Sequence, residues 1–141
     1  MPCRARQKQR DSEFDSKERL YRRIPPNKVL DGHPLPQCFN DIPLSVNRSK
    51  HSTALCVLCD KIYHFRYAIV GSHVMEVRVS SLPPDLMTIT HTPRSHNFAH
   101  CDLKPTGAED EASRKLFRLR LSELSTIVGR LPECENYLAK N

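Results

Sequence analysis

The sequence predicts an α+β domain: a small antiparallel sheet in meander order with a C-terminal amphipathic helix on one face. Two patterns predict it. In the middle of the chain, apolar and polar residues alternate at period two through short runs such as His73–Val79 and Leu86–Thr92. Strands with one wet face require that alternation. After residue 106 the period changes, and Phe117, Leu121, Leu124, Val128 and Leu131 recur at steps of four and three, a helical stripe. A chain of 141 residues has room for one core.

Residues 1–17 contain one large apolar residue after Met1, Phe14. They bury too little to offset the entropy of ordering, so they read as a disordered basic arm, with residues 18–141 as the single domain. The first strand begins near Arg19, with Leu20, Arg22 and Ile24 on one face and Tyr21 and Arg23 on the other. Pro25-Pro26 ends it. Asp31-Gly32, Pro34, Pro36 and Pro43 make a rigid turn-rich loop anchored by Phe39. Leu44–Val46, Thr53–Leu58 and Ile62–Val70 read as further strands, the last two joined through Cys59-Asp60-Lys61. Leu82-Pro83-Pro84-Asp85 is a turn. Thr106-x-x-Glu109 reads as a capping box opening the helix, Gly129 and Pro132 stop it, and Pro132–Leu138 reads as a short final helix.

Charge is segregated. The whole chain is at +6, but residues 1–30 hold nine basic and four acidic residues, and residues 108–141 hold six of each. The first ten carry Arg4, Arg6, Lys8 and Arg10 and no acid. That excludes a uniformly basic, histone-like body and points to a local polyanion contact. No run approaches the roughly 18–20 apolar residues of a membrane span, and no apolar segment follows the basic start, so a secretory signal is not indicated. A cytoplasmic protein with no membrane contact is expected, and its six cysteines read as free thiols or metal ligands. Phosphate-loop, dinucleotide and hydrolase-elbow glycine motifs are absent. With no tryptophan and 6% aromatics, a base-stacking platform is unsupported.

Four groups of residues carry candidate chemistry. Cys56-x-x-Cys59 has the spacing to clasp zinc, with further ligands undetermined among Cys38, His64, His73, His96, His100 and Cys101. The competing reading is two small buried apolar residues, with no cofactor at all. His91, His96 and His100 surround Arg94, a set suited to phosphate chemistry if the side chains converge. Otherwise one histidine simply holds a loop. Arg22-Arg23 follows Leu20-Tyr21, and an inward arginine needs an anionic partner, either a ligand or a structural ion pair. Arg114, Lys115, Arg118 and Arg120 make a basic helix stretch that reads more simply as a solvated face.

Three blocks, Glu18–Pro26, Phe39 with Leu44–Arg48, and Pro93 with Asn97–His100, together resemble a group of small, mostly uncharacterised bacterial proteins with LYRRIPP-like, LSV and N-x-A-H segments. The resemblance covers roughly residues 18–105 and implies no particular activity, but it marks Arg22, Ser45, Asn97 and His100. The Cys56-x-x-Cys59 motif departs from the group's pattern. Arg22 and Ser45 also resemble the strand arginine and serine of ADP-ribosyltransferase-like folds, with no matching downstream acid.

Two functions are expected. One is a non-catalytic accessory or interaction protein whose arm, with Arg22 and Arg23, binds nucleic acid or an acidic partner subunit in a larger assembly. The other is a small enzyme acting on a phosphate-bearing or dinucleotide substrate, with Arg22, Arg94 and His100 sharing a cleft.

Overall fold

A computed structural model describes residues 10–59, 73–107 and 110–130. The expected strand over 62–70, the final helix over 132–138, and Arg4, Arg6 and Lys8 lie outside that set.

Strands β1 (Arg19–Ile24), β4 (Leu44–Arg48), β5 (His73–Arg78), β6 (Met87–His91), β7 (His100–Pro105) and β8 (Thr126–Arg130) form one six-stranded sheet. Every pairing is antiparallel. The order is β6-β7-β4-β1-β5-β8, so the α+β class is as expected while the strand order is not a plain meander. β1 lies at the centre because both its faces carry buried residues, Leu20 and Ile24 on one and Tyr21 on the other. A small hairpin of β2 (Val29–Leu30) and β3 (His33–Pro34) stands apart. Its two-residue turn is Asp31-Gly32, both with positive φ, the conformation in which Asp-Gly is favoured.

One face of the sheet carries the main core: Leu20, Ile24, Leu44, Val46, Met75, Val77, Met87 and Leu103 pack with Phe39, Phe117 and Leu121. Phe117 and Leu121 come from helix α2 (Glu111–Leu124) and are fully buried. Each such side chain contributes roughly 1.5–3 kcal/mol by burial. On the opposite face helix α1 (Ala54–Cys59) covers a smaller cluster of Val57, Leu58, Tyr21 and Val74.

Three expectations change. Residues 54–59 form a helix rather than a strand. Thr53 starts it: its hydroxyl accepts the Cys56 N–H at 3.1 Å, and its carbonyl accepts that of Val57. A short apolar run has no period clear enough to decide between the two states. Helix α2 is capped by Asp110, whose carboxylate accepts the Ser113 N–H at 2.7 Å, not by Thr106. The Thr106 hydroxyl instead bonds the Pro84 carbonyl and Thr88, tying together the ends of β6 and β7. The helix also stops at Leu124, and the stripe beyond it does not continue as helix. Ser125 turns the chain by bonding the Leu121 carbonyl through its N–H and its hydroxyl. The β-branched run Thr126-Ile127-Val128 then pairs with β5, as such residues favour.

The boundary at residue 17 moves as well. Residues 11–17 lie against the body: Phe14 packs on the main core, and Asp11, Glu13 and Glu18 bond residues of other elements. Among the described residues, no helix is long and apolar enough to cross a membrane.

Candidate functional site

The N-terminal segment is fastened by Arg48. In β4, Leu44, Val46 and Arg48 alternate onto the inner face, so a guanidinium is carried into the core, where it is fully buried. Burial of a charge demands close partners, and every arm of the fork has one. Nε and Nη2 donate to the Glu18 carboxylate at 2.8 and 2.7 Å. Nη1 donates to the Asp11 carbonyl at 2.7 Å, and Nη2 also to the Glu13 carbonyl at 2.6 Å. The Phe14 ring lies 4.0 Å beneath the guanidinium carbon. Burial alone would raise the Glu18 carboxyl, but the bonds from Arg48, with the Asp15 N–H and the nearby cations, together hold Glu18 below its ordinary value.

Two histidines complete this anchor. His91 is buried; its Nδ1 accepts the Asp11 N–H at 2.7 Å and its Nε2 donates to the Phe98 carbonyl at 2.6 Å. Those partners fix the neutral Nε2–H tautomer. His51 stacks on His91 and meets the edge of Phe98, with its Nε2 at 3.5 Å from the Asp11 carboxylate. Burial, against the pull of Asp11, holds His51 below the usual imidazole value. Lys50 bonds Asp11 at 2.6 Å and is the main reason its pKa falls to about 2. Residue 10, an exposed arginine, therefore emerges beside a fixed acid–base knot.

The second cluster is on the other side of the sheet. Tyr21 pairs with Asn47 and Asn47 with His100, so these three share a face. Ser45 is on it too, opposite Asp102. His100 Nδ1 meets the Thr92 carbonyl at 3.0 Å and the Thr92 hydroxyl at 2.9 Å, while Nε2 meets the Ser45 hydroxyl at 3.1 Å. A carbonyl can only accept, so Nδ1 carries the proton and the Nε2 lone pair faces Ser45. Burial, reinforced by the Arg94 guanidinium, keeps His100 below the ordinary imidazole value. Asn97 donates to Asn47 Oδ1 at 2.6 Å, and its own Oδ1 is buried with no hydrogen-bond partner. Arg94 and Asn97 exchange backbone bonds across a tight turn, whose tip holds exposed Ser95 and His96.

The sequence-predicted residues thus divide. Ser45, Asn97 and His100 converge, with Arg94 near them. Arg22 does not join them. It is the neighbour of Tyr21 in β1 and so points to the opposite face, where its fork donates to the Ser45 and Cys38 carbonyls at 2.9 and 3.4 Å. The cleft of Arg22, Arg94 and His100 is therefore not formed, and the analogy joining Arg22 to the Ser45 hydroxyl fails for the same reason of strand parity. Arg23 donates to the Leu58 carbonyl at 3.0 Å in the last turn of α1, a structural bond. The three histidines do not form one site: His91 is buried on the main-core face, His96 is exposed at a loop tip, and His100 is buried on the opposite face. On α2, Arg118 and Arg120 pair with Glu111 and Glu123 of the same helix, consistent with a solvated face.

Cys38 and Cys101 are free and buried, and burial pushes the Cys101 thiol up to about 12. Cys56 is disulfide-bonded, against the expectation of free thiols or metal ligands. The Cys59 side chain lies outside the described set, and among the described residues no three metal-binding side chains stand together. Arg48, Glu18, Asn47 and Phe98 escaped the sequence reading of sites, although the inward register of Arg48 with Leu44 and Val46 signals a buried charge.

No family model matches the chain, nor does any curated protein or solved structure.

Proposed function

We propose that the protein is an accessory or interaction protein that binds a polyanion, nucleic acid foremost, through its first ten residues, with the folded body docking to a larger assembly. The observation that carries this reading is the Arg48 knot. It separates the acidic stretch from the basic one: the Asp11 and Glu18 carboxylates are engaged with the body and Glu13 is held by its carbonyl, while Arg4, Arg6, Lys8 and Arg10 precede the knot without an acid among them. Arg22 and Arg23 bond main-chain carbonyls, so the partner contact is assigned to the four cations ahead of residue 11. Neutralising phosphates with such cations gives binding that weakens steeply with salt. Leu116 and Leu119, one turn apart on α2 and both exposed, suit the docking of the body. The resemblance to bacterial proteins adds no activity to this reading.

The test compares the full chain with one beginning at residue 11, which keeps the knot, for binding to duplex and single-stranded nucleic acid over a salt series. Loss of affinity with the first ten residues supports the proposal. Equal affinity contradicts it, and retention of binding only to an acidic protein would replace nucleic acid as the partner.

A further inference from the structure

We propose that Ser45 and His100 form a nucleophile–base pair on the face of the sheet opposite the main core, able to take an acyl group from a carboxylic ester. The sequence contains no hydrolase elbow, so such a site could emerge only from the pairing of β4 with β7. Ser45 is exposed, and its hydroxyl stands 3.1 Å from the Nε2 of His100. The imidazole is buried and is oriented from behind by the Thr92 carbonyl at 3.0 Å. That is the arrangement of a nucleophile, a base and a group that fixes the base's tautomer. An independent observation lies beside it: the Asn97 Oδ1 is buried and unpartnered, while its amide nitrogen holds Asn47, the cross-strand neighbour of His100. Asp102 lies directly across from Ser45 on the same face and disfavours a phosphate there, so a neutral carbonyl is the better fit.

The chemistry balances with water as the only co-reactant. Ser45 Oγ bonds the acyl carbon as its proton passes to His100 Nε2. The ester C–O bond breaks, and the leaving alkoxide takes that proton. Water then gives a proton to Nε2 and attacks the acyl carbon. Ser45 Oγ departs, recovering its proton, and the carboxylic acid is released. Thr92 acts through His100 as a positioning residue.

The experiment treats the full chain with a fluorophosphonate and, separately, with p-nitrophenyl acetate, and maps the adduct by mass spectrometry. One covalent adduct on Ser45 is expected, absent in Ser45→Ala, which should still fold cooperatively although it loses the hydrogen bond to His100. His100→Gln should slow acylation about 100-fold. If that variant does not fold, the parent's rate profile decides: the rate should fall on acidification, with its midpoint below the ordinary histidine value of about 6.5. No adduct, an adduct elsewhere, an unchanged rate in Ser45→Ala, a rate flat to about pH 4, or turnover of p-nitrophenyl phosphate in preference to the acetate would overturn the proposal. Deletion of residues 1–10 should leave acylation intact, which keeps this result separate from the fate of the arm.

Discussion

Arg48 is the residue on which the account of the N-terminus depends. A buried guanidinium bonded to one carboxylate and two carbonyls cannot be truncated without leaving Glu18 buried and unpaired. Breaking such a pair costs roughly 3–5 kcal/mol. Arg48→Ala is therefore expected to lower stability by about that amount in denaturant melts, and Arg48→Lys to recover only part of it, because an ammonium lacks the two-pronged fork. Hydrogen exchange should show the Asp11 and Glu18 amides losing protection first. The same knot predicts acid sensitivity. Asp11, at about 2, and Glu18, lowered, both have depressed carboxyl values. Their contribution is full above the unfolded carboxylate range and is lost as pH falls from about 4 toward 2. His51 and His100 are also depressed. For a base the unfolded chain takes the proton first, so stability begins to fall once pH drops below about 6.5. Melting temperature against pH should thus decline in two stages. A protein equally stable at pH 7 and pH 5 would count against the burial of both histidines. Arg48 escaped the sequence reading although it alternates with Leu44 and Val46, and its partner was out of reach because Glu18 is thirty positions away and only the β1–β4 pairing joins them.

Elements were legible where one physical signal dominated. The centre of α2 was readable from Phe117 and Leu121, and β5 and β6 from their alternation. Boundaries failed where two signals competed. The stripe through Val128 obeyed helical spacing, yet Thr126-Ile127-Val128 is β-branched and β5 offered an open edge, so pairing won. The Thr106 box lost to Asp110 because the Thr106 hydroxyl is held by the Pro84 carbonyl and Thr88 at the β6–β7 ends. Asp110→Ala should therefore weaken α2 by about 0.5–2 kcal/mol, read as a loss of helical ellipticity before global unfolding. Gly129 reads in the sequence as a helix stop, but its use is steric: a Cβ there would stand 2.7 Å from Cγ1 of Val74 and 3.5 Å from Leu58. Val74 is stiff and buried, so Gly129→Ala should force β8 off β5 and lower the melting temperature, whereas Ser95→Ala at the exposed turn tip should leave it unchanged. The Ser45–His100 contact was out of reach for a different reason. Both residues were marked, but which face each occupies depends on register, and a one-residue slip would have reversed it.

At the scale of the whole molecule, the net charge of +6 resolves into residues 31–141, which are close to neutral, and a first decapeptide whose cations precede the first acid. Residues 11–17, expected in the arm, contact the body instead, so the proposed polyanion contact is carried by a stretch that holds no acid. The most direct test is the salt dependence of nucleic-acid binding for the full chain and for the chain from residue 11 onward. Four cations on duplex phosphates correspond to a slope of about −3 to −4 in log affinity against log salt. The full chain should show that slope and the shortened chain should show almost none, with unchanged melting temperature. Equal slopes and affinities for the two chains would contradict the account.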